Sequence, residues 1–114
     1  MPDKPVDVFD AIAHPIRREI LMRLAQGKDS ASHLAESFTT VSRPAISQHL
    51  GILRDANLVS VEKVGRHNFY HLEPQTLMEV YMWVAFFKTF WESALDNLGS
   101  VLDEMAAEEE EDIP

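Results

Sequence analysis

One change of period constrains this chain more than any other feature. Residues 58–72, Leu-Val-Ser-Val-Glu-Lys-Val-Gly-Arg-His-Asn-Phe-Tyr-His-Leu, are β-rich. They read as two strands, Leu58–Val64 and Asn68–Leu72, around a short tip at Gly65-Arg66-His67. Everywhere else the apolar residues recur at helical spacing. A single hairpin set among helices predicts a mainly α fold with a small β-hairpin.

The helices can be bounded from the same pattern. Val6, Phe9 and Ala13, with Val8, Ala11 and Ile12, fit a short first helix. It stops near His14, because Pro15 disfavours helical geometry in the residue before it. Pro15 can open a second helix, carried by Ile16, Ile20, Leu21 and Leu24 and ended by Gly27. Asp29 or Ser30 can cap a third, bearing Ala31, Leu34, Ala35 and Phe38. Ser42 can cap a fourth, with Pro44 in its first turn and an end near Ala56 or Asn57. After the hairpin a long helix is predicted from about Glu73. Thirty residues of helix span about 45 Å, more than so small a domain can cover by itself. Helices 1–4, a hairpin and a long C-terminal helix, with the hairpin directly after a helix–turn–helix, describe a winged helix–turn–helix.

The chemistry sits on the fourth helix. Ile46, Leu50 and Leu53 form its apolar stripe, and Arg43, Ser47, Gln48 and Arg54 fall largely on the other side. Residues near the start of such a helix are those that reach base edges in a major groove. Arg43 can pair with guanine, Gln48 with adenine, and Ser47 with a base or a phosphate. Gly51 lowers helix propensity and leaves room for close backbone approach. At the hairpin tip Lys63 and Arg66 flank Gly65, with His67 beside them, a loop suited to phosphate or minor-groove contact.

The total charge points the other way until it is placed along the chain. Ten Lys+Arg face 19 Asp+Glu, a formal charge of −9, and nucleic-acid-binding domains usually show a basic footprint. Seven of those acids lie in residues 103–114, which leaves 12 acids against 10 bases in residues 1–102. Residues 43–67 are net +2. The sequence thus divides into a winged-helix domain over residues 1–104 and an acidic tail over residues 105–114, expected to be solvated and disordered. The absence of cysteine excludes a disulfide scaffold, a Cys-ligated metal and a thiol nucleophile. No Gly-rich phosphate loop or metal-ligand spacing suggests an enzyme, and no cofactor is expected. Neither a signal peptide nor a bilayer-length apolar run is evident, so a cytoplasmic location without a membrane partner is expected.

The long helix carries a third signal. Leu77, Tyr81, Val84, Trp91, Leu95, Leu98 and Leu102 follow a 4-3 spacing interrupted at Lys88, and Val80, Trp83, Phe87 and Phe90 lie alongside. So broad a stripe predicts one face on the chain's own domain and another on a second copy.

Three stretches resemble the ArsR family of bacterial winged-helix repressors. They are the opening helices at residues 9–21 (Phe-Asp-Ala-Ile-Ala-His-Pro-Ile-Arg-Arg-Glu-Ile-Leu), the helix and exit at residues 42–50 and 53–59, and the wing at residues 65–72. The resemblance covers about residues 6–102. It implies a homodimer paired through the first and last helices, which adds Val8, Phe9 and Ile12 to Trp83, Phe87, Phe90, Trp91, Leu95 and Leu98 as interface candidates. It also implies double-stranded DNA with an inverted-repeat operator as partner, and places Ser47, Gln48 and His49 at recognition-helix contact positions; Ser42 at the cap joins them. Metal-sensing members carry a cysteine pair on the third helix, where this chain has Ser32-His33-Leu34-Ala35-Glu36, or His and carboxylates on the last helix, beyond the final histidine, His71. The chain therefore resembles a metal-independent branch, with Phe90-Trp91-Glu92 in its last helix. Trp83, Phe86, Phe87, Phe90 and Trp91 are candidates for a small apolar effector's pocket, with control by a partner protein as the other route. The competing reading of the whole chain is a winged-helix protein-interaction module that works through its long helix without specific DNA binding.

Overall fold

The computed structural model of the chain describes residues 6–111. They fall into two compact units, one through Val80 and one from Tyr81.

In the first unit, helix α1 is a single turn, Val8–Ala11, whose first amides are met by the Asp7 carboxylate (Phe9 N–H, 2.7 Å). Helix α2, Pro15–Leu24, is capped by a histidine: His14 Nδ1 accepts the Ile16 N–H at 3.1 Å. Two arginines of α2 reach back to the last carbonyls of the preceding segment. Arg17 Nε donates to Ala11 O at 2.6 Å, and a terminal nitrogen of Arg18 to Ile12 O at 2.7 Å. Cations at a helix carboxyl end satisfy orphan carbonyls and oppose the helix dipole. So short a helix holds its place through these bonds and its buried Val8 and Ala11.

Strand β1, Asp29–Ser30, is followed by α3, Ala31–Ser37. Of the two candidate caps, Ser30 is the one used, accepting from the His33 N–H at 3.1 Å. Asp29 instead bonds the His33 ring at 2.6 Å, which holds that imidazole's pKa above its ordinary value. Helix α4, Arg43–Asp55, starts on Ser42 with Pro44 in its first turn. Its end is a Schellman motif. Asn57 takes the left-handed conformation (φ 60°), its N–H bonds Arg54 O, and the Leu58 N–H bonds Leu53 O, both at 3.0 Å. Leu53 and Leu58, joined by that bond, are both fully buried.

Strands β2, Val59–Val64, and β3, His67–Leu72, pair antiparallel, with Val64 opposite His67. The loop is therefore Gly65-Arg66. Gly65 has φ 62° and Arg66 does not share the positive φ, the pattern of a type II′ turn. His67 belongs to β3 rather than to the tip, which corrects the strand start expected at Asn68. Sequence reading also missed β1. It pairs with β3 (Asp29 opposite Tyr70), so the hairpin is part of a three-stranded sheet of order β1-β3-β2. A two-residue strand has no period to detect.

One core serves this unit. Ile20, Leu34, Ile46, Leu50, Leu53 and Leu58 are its largest fully buried side chains, drawn from α2, α3, α4 and the α4 exit. The winged helix–turn–helix expected from the sequence is the architecture found, with helix α4 seated on this core.

The single long helix expected from Glu73 is not found. In its place come a 3₁₀ turn at Pro74–Leu77, helix α5 at Met78–Phe86 and helix α6 at Lys88–Glu111. The Thr76 N–H bonds Glu73 O, and at the second break the Phe87 N–H bonds Val84 O at 3.0 Å. Both are i→i+3 bonds, which tighten the turn and end regular α-helix. On α6, Trp91, Leu95, Leu98, Leu102 and Met105 keep a 4-3 spacing, and each is more than half exposed. The acidic tail expected from residue 105 overlaps α6: residues 105–111 are helical, and residues 112–114 lie outside the described residues. Among the described residues, no helix is long and apolar enough to cross a membrane.

Candidate nucleic-acid interface

Helix α4 separates its two faces cleanly. Ile46, Leu50 and Leu53 are buried, while Ser42, Arg43, Ser47, Gln48, Gly51 and Arg54 are exposed. Arg43 stands in the first turn, at the positive end of the helix dipole, where a cation is disfavoured by about 0.3–1 kcal/mol. Among the described residues its one ion pair, to Glu36 of α3 at 3.9 Å, is long and solvent-exposed and contributes little. Fold stability does not explain a cation there; an external anion would. Arg54 lies in the last turn, the favourable end.

The wing carries Lys63, Arg66 and His67, all exposed. Among the described residues no salt bridge engages Arg54, Lys63 or Arg66. The base of the wing is fixed to the α4 exit: the Glu73 N–H bonds Leu58 O at 2.9 Å and Thr76 Oγ1 donates to Asn57 O. Loop cations on a rigid stem suit phosphate contact.

His49 differs from its neighbours. It is half-buried, its ring lies 4.5 Å from the His14 ring, and its Nδ1 is 3.2 Å from a terminal nitrogen of Arg17. Guanidinium can only donate, so Nδ1 is the acceptor and the neutral ring carries its proton on Nε2. Burial foremost, then His14 and Arg17, hold the His49 pKa below its ordinary value. A histidine with a lowered folded pKa resists protonation that the unfolded chain accepts. Its contribution to stability is therefore intact above the unfolded value of about 6.5 and declines as pH falls below it. Urea midpoints from pH 7.5 to 5.5 should drop in the wild type more than in His49→Asn. Equal slopes would remove His49 as a source.

The interface candidates divide. Val8 is only 4% exposed, part of the core of the first unit, and so presents little surface of its own. Phe9 and Ile12 are half-buried against the same core. In the second unit Trp83, Phe86, Phe87, Phe90, Trp91, Leu95 and Leu98 are all exposed, Phe86 at 82%. The aromatics proposed as an effector pocket include edge-on pairs, Trp83–Phe87 and Phe86–Phe87, with centroids 5.4 and 5.2 Å apart.

Sequence reasoning assigned no site role to His14 and Arg17. Their partner stands 32 residues along the chain from Arg17, on another helix, and no local period links them.

Gly51 has open space around it: a Cβ added there would meet nothing within 4 Å. Packing does not require glycine, which costs about 1 kcal/mol relative to alanine inside a helix. Gly51→Ala should therefore stabilise the fold by roughly 0.5–1 kcal/mol in urea denaturation. A loss of stability would mean that the exposed face packs against something in the free protein.

Comparison with known proteins agrees with this geometry. Residues 14–61 match the family model described as "Bacterial regulatory protein, arsR family". The transcriptional repressor SdpR of Bacillus subtilis is 38% identical over 78 residues, 68% of this chain and 86% of the relative. The HTH-type transcriptional regulator Rv2034 of Mycobacterium tuberculosis is 35% identical over 99 residues, 87% of this chain and 89% of the relative. Among solved structures, an ArsR family transcriptional regulator superposes with a TM-score of 0.66 at 32% identity, covering 74% of this chain and 91% of that one.

Proposed function

Because the chain belongs to the arsR family of bacterial regulatory proteins, and is a DNA-binding transcriptional regulator rather than an enzyme, we propose that it is a homodimeric repressor. It reads an inverted-repeat operator by placing α4 of each protomer in successive major grooves. The observation that carries this reading is the exposed polar face of α4, Ser47, Gln48 and Gly51, held on a fully buried apolar stripe. Ser47 and Gln48 supply base contacts. Arg43, Arg54, Lys63, Arg66 and His67 supply phosphate contacts, and Gly51 admits the DNA backbone.

The test is selection of duplex fragments from the source genome with the purified chain. One palindrome should be enriched, with half-sites about 10 bp apart and an affinity that falls steeply with salt. No enrichment above background would overturn the reading. On the enriched duplex, Arg66→Ala should weaken binding to all sequences alike and flatten the salt dependence. Gln48→Ala should instead change which base is preferred, at a cost of about 1–3 kcal/mol at that position. If both variants changed specificity equally, the division between wing and helix would be wrong. Gly51→Ala should lower affinity while raising stability, the combination expected where a side chain obstructs a ligand.

For release from DNA, the exposed aromatics of the second unit suit a small apolar effector that favours a DNA-incompetent state. Trp83 and Trp91 report on it directly. Unchanged tryptophan fluorescence across an apolar and aromatic compound panel would move control to a partner protein.

A further inference from the structure

Arg17 sits where three parts of the first unit meet. Its Nε and one terminal nitrogen donate to Ala11 O (2.6 Å) and Asp10 O (3.3 Å), at the carboxyl end of α1. Its other terminal nitrogen donates to His49 Nδ1 on α4 at 3.2 Å. His14, whose own Nδ1 is taken by the Ile16 N–H, lays its ring against His49 at 4.5 Å. The planar guanidinium fork suits these divergent bonds; a lysine ammonium is a single point donor. His49 of α4 is thus joined by a hydrogen bond to Arg17 of α2 and by a ring contact to His14, the residue that caps α2.

We propose that Arg17 is a positioning residue for DNA reading: it fixes the His49 ring as the Nε2–H tautomer and ties the recognition helix to the carboxyl end of α1. His49 then offers a hydrogen-bond donor, suited to guanine O6 or N7 or to a phosphate oxygen, and cannot offer an acceptor. Protonation of His49 would remove the acceptor that Arg17 needs and place imidazolium beside guanidinium and the second imidazole. The DNA-competent arrangement is accordingly the neutral one. The groups facing His49 are His14 and Arg17, and both oppose its protonation. This inference rests on the reading of α4 as the DNA-reading helix, but its first test does not involve DNA.

That test is ¹⁵N imidazole spectroscopy of the full-length chain. In the wild type, His49 Nδ1 should show the shift of an unprotonated acceptor at pH 7. In Arg17→Gln, whose shorter side chain cannot span both partners, a population protonated at Nδ1 should appear and the His49 pKa should rise. An unchanged tautomer and pKa in Arg17→Gln would overturn the proposal whatever happens with DNA. Circular dichroism melting establishes that the variant is folded; should it not fold, Arg17→Lys carries the same measurement.

The second arm uses the duplex enriched by the wild-type chain. Arg17→Gln should bind it about tenfold more weakly, the loss of roughly one charge-assisted hydrogen bond. Arg17→Lys should recover little, because one ammonium cannot hold α1 and His49 together. Full recovery in Arg17→Lys would instead make Arg17 a direct phosphate contact and overturn the positioning role. Absence of any enriched duplex, with the tautomer result intact, would remove the operator reading while leaving the Arg17–His49 coupling in place.

Discussion

Leu53→Ala is expected to cost roughly 3–5 kcal/mol, the upper part of the range for leucine truncation in a packed core. Leu53 is fully buried among Leu50, Leu58 and the other core side chains. Its carbonyl also accepts the Leu58 N–H that closes the helix end. Removing its side chain opens a cavity and loosens the hydrophobic contact that accompanies a Schellman motif. Small domains have only about 5–15 kcal/mol of net stability, so the variant loses a large share of it. Because α4 is both a wall of the core and the proposed reading head, DNA binding should fall in parallel with the folded fraction. Urea denaturation followed by circular dichroism measures the cost. Met22→Ala, at an α2 position 65% exposed, is the control and should stay within about 0.5 kcal/mol of wild type. A Leu53→Ala cost below about 1 kcal/mol would mean that α4 is not seated on the core as described.

The features that sequence reading captured share one property: a local period or a local stop. Ile46, Leu50 and Leu53 recur at helical spacing and are buried; Ser47 and Gln48 lie off that stripe and are exposed. Gly65 marks a tip because a two-residue turn with positive φ favours glycine. The misses lack such a signal. Strand β1 is two residues long. Helix α1 is one turn, too short for its spacing to separate a buried face from an outer one: the family resemblance made Val8, Phe9 and Ile12 interface candidates together, and Val8 is buried in the core of its own unit. His49 entered as a contact position through the family resemblance, but its partners were not legible: Arg17 lies on α2 and His14 caps it, more than thirty residues earlier in the chain. Between α5 and α6 the 4-3 apolar spacing skips only Lys88 and resumes at Trp91, which reads as one polar residue in a continuous stripe; the break itself shows in the backbone bond from Phe87 to Val84.

Leu95→Glu combined with Leu98→Glu should leave a folded chain that no longer dimerises and binds the operator duplex at least a hundredfold more weakly. Both leucines are more than half exposed on α6, in line with Trp91, Leu102 and Met105. Leucines left in water contribute nothing to a monomer's core, so charges at these positions leave the first unit's packing untouched. Between two copies the same charges would be buried without partners, at a cost of several kcal/mol. A dimer that grips two half-sites gains the effective concentration of its second reading head, typically 10²- to 10⁴-fold in affinity, and a monomer forfeits it. The acids at the end of α6, Asp103, Glu104, Glu108 and Glu109, would constrain how two copies joined through this stripe meet. Side-by-side pairing in the same direction would set these like charges against one another, whereas opposed helices keep them apart. Sedimentation velocity reads the oligomeric state, and fluorescence anisotropy with the enriched duplex reads the affinity. The added acids also repel DNA, so Lys88→Glu, on the same helix but interrupting the apolar stripe, serves as the charge control. If the leucine variant still sedimented as a dimer, or if the control lost as much affinity without dissociating, the apolar stripe of α6 would not be the surface that joins two copies.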